Sequence, residues 1–143
     1  PEVAGIVCIN PATTPQAAEV LAAVDEMLAA GTEVMPGIGS DIADPDSHES
    51  AYDGTPLRPL KDFMESGLRP LAGRYGELTM PLLLFTSRQD HVVEPSQSEY
   101  LAAHYGGEVD HRWLERSYHV ATQDFDRDVI NVETAAFATR VTA

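Results

Sequence analysis

The sequence predicts an α/β fold built on a parallel sheet, and three observations carry that prediction. Two runs, "VAGIVCIN" (3–10) and "MPLLLFTS" (80–87), are almost continuously apolar, as strands buried on both faces of a parallel sheet are. A third, "VDHRWLE" (109–115), alternates and reads as a strand nearer an edge. Helical patterns separate and follow these runs, so the order is strand, helices, strand, helix, strand, helix. That alternation argues for three parallel strands joined by right-handed crossover helices.

The elements follow in order. The first strand stops at Asn10-Pro11. Residues 14–31 predict a helix, with Thr14 as N-cap, Pro15 in the first position, Val20, Val24, Met27 and Leu28 at helical spacing, and Gly31 ending it. From Thr32 to Asp53 the pattern weakens into Gly, Pro, Asp and Ser, and a mobile loop is expected. Between 55 and 78, Leu60, Phe63, Met64, Leu68 and Leu71 are spaced like short amphipathic helices broken by Pro59 and Pro70. A helix over 95–106 should be stopped by Gly106-Gly107. The last helix, 126–141, has Asp126 or Asp124 as its cap and Ile130, Phe137 and Val141 on one face. In the third strand Val109, His111, Trp113 and Glu115 share a face, with Asp110, Arg112 and Leu114 on the other. One feature does not close: with three strands the apolar first strand is left at an edge, so something outside these residues should pair with it.

Composition narrows the function. The chain has 143 residues, enough for one domain, with 43% hydrophobic and 22% charged residues, as in ordinary globular proteins. No run approaches the ~18 apolar residues of a membrane span, so stable membrane insertion is not expected. A net charge of −14 repels phosphate backbones and anionic headgroups, which argues against nucleic acid as a partner. The lone cysteine, Cys8, reads as a core residue, allows no internal disulfide, and fits a reducing compartment such as the cytoplasm. The chain starts at Pro1 and runs at once into a buried-type strand, which reads as a cut end.

In open α/β sheets, functional groups gather at the carboxyl ends of the strands. Asp90 follows the second strand by two residues, and His119 follows the third. An aspartate that accepts a hydrogen bond from one ring nitrogen of a histidine fixes its tautomer and stabilises the imidazolium. On these residues alone, a turn-capping aspartate and a surface histidine are as good a reading. His91 adjoins Asp90 and could compete for its carboxylate; His48, His104 and His111 have no third ligand at metal spacing, and no cofactor or metal is implied.

The segment "LLLFTSRQDHVVEPSQSEYL" resembles the acid loop of the α/β-hydrolases, and "LERSYHVATQDFDRDVI" is similar to their histidine loop. The bacterial carboxylesterase and monoacylglycerol lipase branch, with its S-x-H-V-I-T-x-D loop, is the nearest pattern. The resemblance extends to "PEVAGIVCINPA" (1–12), similar to the strand after the family's nucleophile helix, and is weak over 13–79. It implies the C-terminal half of a hydrolase core (1–12 and 79–143) with a helical lid insertion (13–78). It also implies that Asp90 is the triad acid and His119 the base, with Val92 and Val120 lining the substrate pocket. Met27 and Met35 join that pocket if the insertion is a flexible apolar gate, the alternative being plain core packing. Two departures stand out. Tyr118 occupies a position where glycine is frequent. The nucleophile motif G-x-S-x-G is absent: Ser40 in "GIGSD" has the wrong spacing, and Ser66 and Ser87 lack the motif. The resemblance therefore implies a serine esterase acting on short to medium acyl esters such as monoacylglycerols, whose nucleophile lies in an N-terminal half of the same hydrolase. This chain alone would be inactive. Carbon–carbon hydrolases and dehalogenases share the fold, and a non-catalytic α/β binding module is a further alternative, although "NPATTP" after the first strand is not a phosphate loop.

Overall fold

The structure, a computed structural model, describes residues 3–143. The expected start of the resemblance at Pro1 and Glu2 lies outside the described residues. Three strands, β1 (Ile6–Ile9), β4 (Leu82–Ser87) and β5 (Val109–Leu114), form a parallel sheet in the order β1-β4-β5. Every residue of β4 is buried, as its unbroken apolar run predicts. In β1 each residue is only half-buried. The double-sided burial expected of that run is not met, because β1 has β4 on one side and no second strand on the other among the described residues.

The two faces of the sheet carry separate cores. Leu83, Phe85 and Leu114 pack with Ile130 and Phe137 of α5 (Arg127–Thr142), with Val7, Ile9 and Val141 against them. On the opposite face Leu82 and Leu84 pack with Tyr75 and with Leu101 of α4 (Pro95–His104), joined by Ile6, Cys8 and Val109. Period-two alternation along each strand sorts the residues this way. Leu114 and Val109 fall on opposite faces, as the third strand's pattern predicts.

The 72 residues between β1 and β4 hold most of the departures from expectation. Helix α1 starts at Ala18, not at a Thr14 cap. The Thr13 and Thr14 amides are instead taken by Gln97 Oε1 at 2.7 and 2.9 Å, which ties this segment to α4. Gly31 does end α1, with φ of +87°. The expected mobile loop is ordered at both ends: β2 (Val34–Pro36) pairs antiparallel with β3 (Gly54–Pro56). Three-residue strands containing proline leave no periodic signal, which is why the sequence hides them. Residues 57–72 form one helical run, α2 (Leu57–Asp62), a π-wound turn (Phe63–Leu68) and α3 (Arg69–Ala72), not broken helices. Pro59 sits in the first turn, where no amide hydrogen is missed, and Pro70 sits at the start of α3, just after the π turn. Lys61 pairs with Asp25, joining this run to α1.

Two further expectations are corrected. Helix α4 ends at His104, followed by an extended Tyr105, so Gly106-Gly107 are not its cap. They are required by close approach: a Cβ on Gly106 would lie 2.2 Å from the Gly76 carbonyl oxygen. Asp126 holds the N-cap position of α5, as expected, but neither it nor Asp124 caps the helix through its side chain, because both carboxylates are engaged elsewhere.

Candidate active site

The carboxyl ends of β4 and β5 converge on a polar junction. Asp90 lies on the turn after β4. Its Oδ1 accepts the amides of Val92 and Val93 at 2.9 and 2.8 Å, and this leaves Oδ2 free to turn outward. Oδ2 lies 2.8 Å from His119 Nδ1. The Asp90 side chain is 1% exposed and that of His119 29%. A shielded carboxylate thus holds one ring nitrogen, and Nε2 makes no hydrogen bond among the described residues. The bond from Asp90 raises the His119 pKa above its ordinary value; burial works against it, and the charges of Asp90, Asp41 and Glu49 add to the rise.

The backbone around His119 belongs to no regular element, so its polar groups need side-chain partners. Four segments supply them. Asn10, at the end of β1 with φ of +47°, donates from Nδ2 to the carbonyls of Tyr118 and His119 at 3.3 and 2.8 Å. Its Oδ1 accepts the Ser87 amide at 2.7 Å. Asparagine tolerates this left-handed backbone better than most residues. Ser87 Oγ reaches the Tyr118 carbonyl at 2.8 Å. Asp124, fully buried, takes the Tyr118 amide at 2.8 Å and also those of Ala43, Asp44 and Phe125. Burial pushes its pKa up, but these backbone bonds outweigh that and hold it below the usual carboxylate range. Asp41 takes the His119 amide at 3.0 Å.

His91 does not compete for Asp90. Its Nδ1 pairs with Asp41 Oδ1 at 2.8 Å, and its ring meets Tyr118 edge-on. Tyr118, in the position where glycine is frequent, packs its ring in that contact. Ser87 is fully buried in the Asn10 and Tyr118 network, and Ser40 and Ser66 are exposed. None of the three is hydrogen-bonded to His119.

Two concavities flank the pair. A cleft of about 530 Å³ is lined by His119 and Val120 with Asp41, Glu49, Tyr52 and Val92. A more apolar cavity of about 560 Å³ lies among α1, the helical run and the turn after β4, and includes Met27, Met35, Phe63 and Val93. Ile38, Thr55 and Val92 border both. Of the residues singled out in the sequence, His119, Val120 and Val92 line the cleft and Met27, Met35 and Val92 the cavity, while Asp90 lines neither and lies behind His119. Asn10, Asp41 and Asp124 were not singled out as site residues, and no motif marks them: their partners lie far along the chain or in irregular backbone. Among the described residues no group of three or more His, Cys, Asp or Glu side chains is placed to hold a metal ion. No helix among them is long and apolar enough to cross a membrane.

No protein-family model matches the chain. It is 33% identical over 134 residues to the thermostable monoacylglycerol lipase of Bacillus sp. (strain H-257), a match covering 91% of this chain and 51% of that protein. A solved structure from work on LipS and LipT, two metagenome-derived lipolytic enzymes, is 36% identical and superposes with a TM-score of 0.85 over 96% of this chain and 55% of its own. The monoacylglycerol lipase of Paleococcus ferrophilus, 13% identical with a TM-score of 0.67, shares the fold over 98% of this chain and 59% of its own. The chain spans about half the length of the relatives it matches. In sequence and in fold, it matches the C-terminal half of the α/β-hydrolases of the esterase and monoacylglycerol lipase branch.

Proposed function

We propose that the whole protein is a carboxylic ester hydrolase with a Ser-His-Asp triad, in which Asp90 is the acid and His119 the base. The observation that carries this reading is the 2.8 Å contact between His119 Nδ1 and a shielded Asp90 Oδ2, with Nε2 engaged by none of the described residues beside an open cleft. The nucleophilic serine belongs to the part of the hydrolase outside this chain. Supporting this, G-x-S-x-G does not occur here and the chain spans about half of its lipolytic relatives. That part joins along the outer edge of β1 and also brings the oxyanion donors, so the chain alone has no serine-dependent turnover.

In the reaction, His119 Nε2 takes the proton as the serine oxygen attacks the ester carbonyl. Asp90 stabilises the imidazolium through Nδ1. The tetrahedral intermediate collapses as His119 returns the proton to the leaving alcohol, and an acyl-enzyme remains. Water, deprotonated by His119, then releases the acid and restores the serine. The substrates are short to medium acyl esters such as monoacylglycerols. Their chains occupy the apolar cavity against Met27, Met35 and Val92, and Val92 and Val120 border the reacting ester. Residues 13–78 act as a lid over that cavity, and the setting is cytoplasmic. The test is turnover of a monoacylglycerol and p-nitrophenyl ester series by the full-length protein. Hydrolysis that His119→Ala and Asp90→Asn each reduce by orders of magnitude is expected. No ester hydrolysis by the full-length protein, or turnover unchanged in both variants, defeats the reading.

A further inference from the structure

Asp41 stands out among the residues that the reaction above does not use. It lies on the long connection between β1 and β4, in the segment between β2 and β3, yet it is bound to both loops of the acid–base pair. Its Oδ2 accepts the amides of His119 at 3.0 Å and His91 at 3.2 Å, and its Oδ1 meets His91 Nδ1 at 2.8 Å. Its own carbonyl accepts the Val120 amide at 3.1 Å. The peptide groups on both sides of the His119 α-carbon are therefore held from the connection. The next residues are held in turn, since Asp124 binds the Ala43 and Asp44 amides with the same carboxylate that binds Tyr118.

We propose that Asp41 is a positioning residue for the base: it clamps the His119 peptide from the connecting segment, so that the imidazole meets Asp90 on one side and the reacting centre on the other only when that segment is docked. This rests on the esterase reading above for its reaction, but the clamp itself does not. Burial pushes the Asp41 carboxyl up; the hydrogen bonds with His91 and the His119 amide outweigh it, so Asp41 is an anion across the neutral range. The charged or titratable groups acting on His119 are Asp90 from the turn after β4 and Asp41 and Glu49 from the connection, with His91 one residue beyond Asp90.

Two substitutions in the full-length protein separate geometry from charge. Asp41→Ala removes every side-chain acceptor. It should lower kcat roughly tenfold or more with KM little changed, since a charged hydrogen bond to the base's backbone is lost. Asp41→Asn keeps an oxygen for the two amides and an amide group for His91, so it should restore kcat to within a few-fold of the parent. Losing the anion should still shift the His119 imidazole titration to lower pH. That titration and the His119 amide resonance are followed by NMR without substrate, so they do not depend on ester turnover. If Asp41→Ala does not fold, Asp41→Glu decides, because it keeps the charge and displaces the acceptor oxygens by one methylene: parental kcat with an unmoved His119 amide resonance overturns the proposal. So does a folded Asp41→Ala protein with parental kcat. A His119 amide resonance moved by Asp41→Ala in a protein that hydrolyses no ester keeps the clamp and defeats the esterase reading instead.

Discussion

The two ends of β4 are built on opposite physical terms. Along Leu82–Phe85 the strand is held by undirected burial between two apolar layers. A few residues on, at Ser87 and Asp90, it is held by directed bonds from Asn10, Tyr118, His119 and the turn amides. Burial accepts any apolar shape of the right volume, whereas the junction accepts only a particular pattern of donors and acceptors. Conservative substitutions should therefore be cheap in the first region and costly in the second. Truncations should separate the two regions further, lowering stability in one and catalysis in the other.

The largest effect belongs to the junction. His119→Ala in the full-length protein should cut ester turnover by several orders of magnitude, up to roughly 10⁶-fold, while urea denaturation shows a loss of only about 1–3 kcal/mol, from the partner that the buried Asp90 carboxylate loses. A large stability loss would mean that the histidine is structural. Next comes Phe85→Ala, which empties the centre of the buried strand and should cost about 3–5 kcal/mol in the same denaturation experiment.

The comparison is sharpest with near-isosteric changes. Each oxygen of Asp124 serves two amides, Ala43 and Tyr118 on one, Asp44 and Phe125 on the other. Asp124→Asn turns an amide group toward one of these pairs and should cost about 2–3 kcal/mol. Leu84→Met, of similar volume in the apolar layer, should cost less than about 1.5 kcal/mol. Equal costs would erase the distinction between the two regions.

The smallest effects are shifts along the pH axis. His119 has a raised pKa in the folded protein, so the acid limb of kcat/KM should lie above the ordinary histidine value of about 6.5, with activity growing as pH rises through it. The stability from the charged pair runs the other way: it is fully present below the unfolded histidine pKa and is lost as pH rises through the folded one. For Asp124, whose pKa is lowered, the contribution is present above the unfolded carboxylate value and is lost as pH falls through the folded one.

The same division governs what could be read from the sequence. The sheet was legible because burial writes itself as a run or an alternation: "LLLF" and "VDHRWL" become β4 and β5. Asp90 and His119 were legible through strand ends and a family resemblance. Asn10, Asp41 and Asp124 were not, because a carboxylate or amide that satisfies backbone 78 to 109 residues away leaves no local pattern. Asp124 even looked like a helix cap, since an aspartate shortly before a helix usually is one. The β2–β3 pair and the π-wound turn were hidden for a related reason: both are short, and proline there obeys positional exceptions, not the general rule.

The central claim is that Asp90 and His119 activate a serine carried by the rest of the hydrolase. It is tested most directly by treating the full-length protein with a fluorophosphonate probe and mapping the labelled peptide. The account predicts one labelled serine outside residues 1–143, with labelling abolished by His119→Ala. Label on a serine within these residues, or labelling that His119→Ala leaves intact, would contradict it.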